Sequence, residues 1–255
     1  MLPQIHAIWI GHRLGPVHAS CLSSFRRFGH QVFLHCYRPP EDLPEGVQVF
    51  DANRIMKPEE ITRFKGTGSP SLGTNTYRYR LLREGLGIYV DTDVFCLHPI
   101  DDEDYIMGFE ETHRINGAIL KLPAECAMLT DLLKAAEDPY FVPPWQGKGR
   151  RVKDRVRRFL RIPRHVSTRP WGVYGPDLIT YFARKHGLTA HAKPIDIFYP
   201  VHYNQTSLLF QKGLCLNDLI TPRTKAVHLY NNSFGGREET EGGTPLHEIV
   251  MKACG

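Results

Sequence analysis

The chain has 255 residues, 42% hydrophobic and 11% aromatic, with 32 Lys+Arg against 27 Asp+Glu and a formal net charge of +5. The aromatic content excludes disorder as the main state, and the length suffices for one large domain with its own core. No apolar run approaches the ~18 residues that span a bilayer, and a charge this small implies nucleic acid only if it is concentrated in one place.

The opening residues MLPQIHAIWIGHRLG carry no basic leader or small-residue cleavage site, so no signal peptide is expected. Ile5-His6-Ala7-Ile8-Trp9-Ile10, ended by Gly11, predicts a first buried strand. Helical spacing of Val17, Cys21, Leu22, Phe25 and Phe28, closed by Gly29, predicts a helix over 16–28. Strands are expected at 31–37 and 47–50, separated by Pro39-Pro40. This β-α-β-β order begins an α/β layer. Residues 66–73, GTGSPSLG, lack a P-loop lysine and read as a plain loop. A helix over 72–84 follows, and then the apolar strand Gly87–Val94, which runs into two acids. Strands at 105–109 and 118–122 precede a helix over 124–136. A helix over 176–185, with Pro176 in its first turn, and short strands at 195–199 and 226–230 complete the elements. The domain is expected to span 1–235, with 236–255 a polar tail. Six cysteines (Cys21, Cys36, Cys96, Cys126, Cys215, Cys254) are scattered without a C-x-x-C pair, as expected of reduced thiols.

The chemistry concentrates at Asp91-Thr92-Asp93. In a strand, residues i and i+2 face the same side, so both carboxylates can converge beyond the strand end, where α/β sheets bind ligands. Two converging carboxylates suit a hard divalent cation that also holds phosphate oxygens, and burying them otherwise is costly. Two chemistries use such a pair. One is a haloacid-dehalogenase type of phosphatase with Asp91 as nucleophile, although that fold usually begins with its nucleophile strand. The other is sugar transfer from a nucleotide donor, where the metal stabilises the departing diphosphate.

Arg78-Tyr79-x-x-Leu82 followed by Gly87-Ile88-Tyr89-Val90-Asp91-Thr92-Asp93 resembles the DXD-motif glycosyltransferase sugar-binding family. That family has a glycosyltransferase A (Rossmann-like) α/β fold with a mixed central sheet flanked by helices. It includes α-1,4-galactosyltransferases, initiating α-1,6-mannosyltransferases and bacterial capsular and lipopolysaccharide enzymes. Ile8-Trp9-Ile10-Gly11, Asn116-Gly117-Ala118-Ile119, Gly175-Pro176 and His228-Leu229-Tyr230-Asn231-Asn232-Ser233-Phe234 are similar to its other landmarks, in the same order. Three positions depart from the pattern: Asn75 where an Asp is usual, Leu86 where a Gly is usual, and Phe234 where a Trp is usual.

The resemblance implies a retaining transfer of a hexose from UDP- or GDP-hexose, dependent on Mn2+ or Mg2+, to a glycan or lipid-linked acceptor in surface polysaccharide synthesis. Asp93 would ligate the metal and Asp91 would bridge metal, ribose or donor sugar. His228 would complete the metal site, with Asn231 or Ser233 as alternatives. Trp9 and Ile10 would border the base and Tyr89 the nucleoside. Asn75 and Arg78, on one helix face, would reach the diphosphate or sugar, and Asn116 the reacting carbon or acceptor. A non-catalytic nucleotide-sugar or membrane-binding relative is the alternative from outside enzymology.

Residues 148–169 hold ten Lys/Arg and one acid, Asp154, which leaves the rest of the chain mildly acidic. Val152, Val156, Phe159 and Leu160 recur at helical spacing among these charges and predict a basic amphipathic helix. It suits an anionic membrane surface or an acidic acceptor, and the alternative is a helix that packs its stripe on the domain. No nucleic-acid partner is expected. The expected location is cytoplasmic, with peripheral contact on the cytoplasmic face of the membrane.

Overall fold

The computed structural model describes residues 2–237 and 240–252. In chain order its strands are β1 (Ile5–Trp9), β2 (Val32–Cys36), β3 (Gln48–Asp51), β4 (Ile88–Val90), β5 (Val94–Cys96), β6 (Ile106–Glu111), β7 (Arg114–Lys121), β8 (Ala192–Lys193) and β9 (Ala226–His228). The helices are α1 (Gly15–Arg27), α2 (Ser71–Arg83), α3 (Ala127–Ala136), α4 (Lys148–Phe159), α5 (Pro176–Lys185), α6 (Ile195–Phe198) and α7 (Pro245–Lys252).

Ile5, Ala7, Val32, Leu34, Ile88 and Val90 are buried on one face and His6, Ile8, His35 and Tyr89 on the other, as in strands covered on both faces. They form the centre of a seven-stranded sheet of order β3-β2-β1-β4-β7-β6-β8. β3, β2, β1 and β4 run parallel, whereas β7 is antiparallel to both β4 and β6. The 3-2-1-4 half is Rossmann-like, and the fold is a mixed α/β sheet flanked by helices, as expected. On one face Leu72, Tyr77 and Leu81 of α2 join Leu129 and Leu132 of α3 and Ile179 of α5. On the other, Leu22 and Phe25 of α1 cover Val32 and Leu34. A small second sheet, β5 with β9 antiparallel, lies beneath α1 and α7. No helix among the described residues is long and apolar enough to cross a membrane.

Three expectations are corrected. Residues 87–94 are not one strand: the chain leaves the central sheet after Val90 and enters the small sheet at Val94. Residues 195–198 form the short helix α6, entered through Pro194, because they cap β6 rather than extend a sheet. The stretch expected as a polar tail carries α7, whose Leu246 and Ile249 are fully buried beside Val17 and Cys21 of α1. Residues 238, 239 and 253–255 of that stretch, with Cys254, lie outside the described residues. The other five cysteines are free thiols.

A buried polar relay ties α2 to the sheet. His6 Nδ1 and His35 Nε2 lie 2.9 Å apart, and His35 Nδ1 lies 2.7 Å from the Tyr77 hydroxyl. Burial lowers His6 to about 4 and His35 to about 3, so both rings are neutral at pH 7. The unfolded chain protonates them near pH ~6.5. The stability they preserve is therefore complete above that pH and is lost as the pH falls towards about 4. Each contributes a slope of up to ~1.4 kcal/mol per pH unit. The urea midpoint is expected to fall across this window, and His35→Asn should flatten the decline while lowering stability at pH 7. A midpoint indifferent to pH over the window would contradict the buried neutral pair.

Candidate metal centre

The centre is built where the two sheets meet. After Val90, the Asp91 amide still donates to the carbonyl of Ala118 in β7 (2.7 Å), and the Val94 amide then closes a turn on the Asp91 carbonyl (3.2 Å). Asp91 and Asp93 thus flank a turn and do not share one face of a strand. The pleat argument is corrected, yet the turn performs the same convergence. Asp91, Asp93 and His228 each offer a ligand atom, and all three atoms lie within 4.8 Å of one another.

His228 arrives through sheet register: Val94 in β5 is paired with His228 in β9. The next residues wrap Asp93. The Leu229 amide donates to the Asp93 carbonyl (2.9 Å), and Tyr230 then adopts a left-handed conformation (φ 52°). That conformation is uncommon for a non-glycine residue, and here it aims the Asn231 amide at Asp93 Oδ2 (2.9 Å). His228 Nε2 lies 3.3 Å from Asp93 Oδ1. Burial alone would raise the Asp93 pKa, but His228, His18 and the Asn231 amide together hold it well below the carboxylate range. Burial likewise opposes charge on His228, but Asp93, with Asp91 and Glu110 behind it, raises the imidazole. His228 Nδ1 is buried with no hydrogen-bond partner.

Asp91 is held from the other side by α2. Arg78 is 5% exposed and enclosed by the sheet. Its guanidinium donates to Asp91 Oδ1 (2.7 Å) and to Asn75 Oδ1 (3.0 Å), and it lies 4.4 Å from the centroid of the Tyr89 ring. Asn75 and Arg78 share one helix face, as expected of i and i+3. The buried Tyr89 hydroxyl also donates to Asp91 Oδ1 (2.8 Å). Gly117 is required here, since a Cβ would sit 2.5 Å from Arg78 Nη1.

Trp9 closes β1 and Ile10 follows it, both half-buried. The Trp9 ring packs 4.6 Å from His18 of α1, and His18 Nε2 lies 2.9 Å from Asn231 Nδ2. Trp9 Nε1 and His18 Nδ1 are shielded from water and unpartnered. Buried polar groups usually find partners, so these two nitrogens are unused hydrogen-bonding capacity enclosed beside the His18–Asn231 contact. Asn116 is less open than its expected role requires. Its amide donates to Glu110 Oε2 (2.5 Å), and its oxygen accepts from the Ala118 amide (2.7 Å). Ser233, one of the alternative ligands, is exposed, and Asn231 is already engaged with His18.

Sequence reasoning missed Glu110, which is 3% exposed and also accepts from the Tyr230 hydroxyl (3.2 Å). It also missed His18 and the left-handed Tyr230. His18 gave one signal, since it stands next to Val17 and one turn before Leu22 on the buried side of α1. Glu110 gave none, because Glu110-Glu111 does not reveal which acid turns inward.

Two carboxylates and an imidazole suit a divalent cation such as Mn2+ or Mg2+ in donor type, and the unpartnered Nδ1 leaves His228 with capacity to spare. The fold and site define a Rossmann-like α/β domain with a candidate Asp-Asp-His metal centre at the carboxyl end of β4. No family model and no curated protein matches the sequence. Among solved structures the chain is similar to the PaToxG glycosyltransferase, with 12% sequence identity and a TM-score of 0.46, over 72% of this chain and 70% of that one.

Mn2+ is expected to raise the melting temperature of the wild-type chain in a concentration-dependent way. Asp93→Ala and His228→Ala should each remove that rise while retaining native circular dichroism. An unresponsive wild type would dismiss the centre.

Proposed function

We propose that the chain is a metal-dependent glycosyltransferase that moves a hexose, with retention, from UDP- or GDP-hexose to a glycan or lipid-linked acceptor. Surface polysaccharide synthesis is the setting that the sequence resemblance suggests. The observation that carries the reading is the convergence of Asp91, Asp93 and His228. A cation held there by the three ligands would supply Lewis-acid charge to a departing diphosphate.

The chain's own residues have separable tasks. Asp93 is kept ionised and oriented by His228 and the Asn231 amide. Arg78, fixed by Asn75 and stacked on Tyr89, orients Asp91 through a charge-assisted hydrogen bond. Trp9 and Ile10, half-buried at the end of β1, would border a nucleoside, with His18 packed behind the Trp9 ring. Asn116, buried and held by Glu110 and the Ala118 amide, would have to exchange these contacts to meet the acceptor. No residue is assigned as general base, and a front-face transfer, in which the departing phosphate takes the acceptor proton, requires none. The phosphatase reading is the weaker one, because β1, β2 and β3 precede the strand that leads to Asp91, whereas that fold usually begins with its nucleophile strand.

Calorimetry with UDP- and GDP-hexoses, with and without Mn2+, tests the proposal. Metal-dependent binding with slow donor hydrolysis is expected. Asp93→Ala should weaken binding by about a hundredfold, and Trp9→Ala by about tenfold. Binding without any hydrolysis or transfer would reduce the chain to a nucleotide-sugar-binding relative. Cleavage of simple phosphate esters would replace the proposal with phosphatase chemistry.

A further inference from the structure

Helix α4 contradicts the reading in which its apolar stripe packs on the domain. Val152 is 57% exposed, Val156 49% and Phe159 86%, and Leu160 and Ile162 just beyond the helix are 59% and 65% exposed. Asp154 is the only buried residue of α4. It forms an ion pair with the buried Arg169 (2.8 Å), and Arg158 adds an exposed pair with Asp138 (2.9 Å). Among the described residues no helix or strand packs broadly against α4.

Helix geometry explains the orientation. Positions two apart lie about 200° apart around the axis, so fixing Asp154 against the body turns Val152 away from it. Val156 and Phe159 follow Val152 at i+4 and i+7 and share the outward face. Lys148 and Arg155 flank the stripe on one side and Lys153 on the other, placed by the same arithmetic. Trp171, 57% exposed, adds an interfacial type of side chain two residues beyond Arg169.

We propose that α4 and the segment to Trp171 form a membrane-docking surface for anionic lipid. With Asp154 and Arg169 neutralising each other inside, the nine Lys/Arg over 148–164 complement anionic headgroups, and the stripe between them is covered only by something apolar. A second copy of this chain would bring the same basic face against itself, which like charges oppose. A phosphate backbone would satisfy the cations and leave Val152, Val156 and Phe159 in water. Lysine and arginine stems can extend to the headgroups while the stripe enters the acyl boundary. The docking does not depend on sugar transfer, and it is measured with no donor or metal present.

Cosedimentation with phosphatidylcholine vesicles, with and without phosphatidylglycerol, is the test. Binding is expected at low salt only when phosphatidylglycerol is present, and added salt should weaken it. Phe159→Glu with Leu160→Glu should lower partitioning at least about tenfold, and Lys148→Glu, Lys153→Glu and Arg155→Glu together about a hundredfold. All five positions lie on the outward or flanking faces, so both variants should keep the wild-type melting temperature. Equal binding to neutral vesicles, or full binding by the Phe159/Leu160 variant, would overturn the proposal. So would a wild-type dimer in sedimentation velocity that the same variant disperses.

Discussion

Asp93 is an ionised carboxylate with little access to water, and the junction of the two sheets is organised around that constraint. Burying a charge is costly unless it is paired and hydrogen-bonded. Asp93 has both: His228 on one oxygen and the Asn231 amide on the other. Neither partner is local in sequence. The β5–β9 register places His228 beside the turn, and the left-handed Tyr230 aims the next amide. The small sheet, with α1 and α7 packed over it, can be understood as the support that keeps this pair aligned. A cation fits the same logic, since it would neutralise Asp91 and Asp93 together and employ the imidazole as a ligand.

Asp91 is governed by the complementary rule. A buried guanidinium without a carboxylate would be as costly as a lone buried carboxylate, and Arg78 is almost wholly enclosed. It is packed between Tyr89, Gly117 and Asn75, so it has little freedom to leave Asp91. The result is an asymmetric pair of acids: Asp91 is tied to α2 and the central sheet, and Asp93 to the small sheet. A ligand that bridges them therefore joins the two sheets.

The buried parallel strands and the long helices were legible because periodicity and punctuation agreed at each: Ile5–Ile10 before Gly11, and helical spacing in 16–28 before Gly29. Asp91, Asp93 and His228 were legible as residues, but their geometry was not. An apolar run from Gly87 to Val94 does not reveal that it changes sheets after Val90, since both halves are fully buried. The 195–199 stretch is equally apolar as a strand or a helix, and only its position against β6 decides between them. Arg78 was expected to reach the diphosphate or sugar, and its pairing with Asp91 was not legible because that carboxylate lies 13 residues away on another element. Glu110 and Tyr230 were hidden for the same reason, as contacts 120 residues apart leave no local pattern.

Helix α4 reverses the usual relation between apolar pattern and fold. Elsewhere in the chain the helical stripes are buried and account for the core, as Leu22 and Phe25 in α1 and Leu129 and Leu132 in α3 do. In α4 the periodicity is as clear, but the residues that carry it touch water, and the one buried group is a carboxylate whose partner is Arg169. A stripe left in water contributes no burial free energy, so folding alone does not account for Val152, Val156 and Phe159 at those positions. The buried Asp154–Arg169 pair is itself weak evidence of stabilisation, because desolvation offsets much of its attraction. Its definite effect is geometric: it fixes which way the helix faces. An element that spends its one buried ion pair on orientation, while leaving its apolar surface open, has the physical form of a docking device and not of a structural helix.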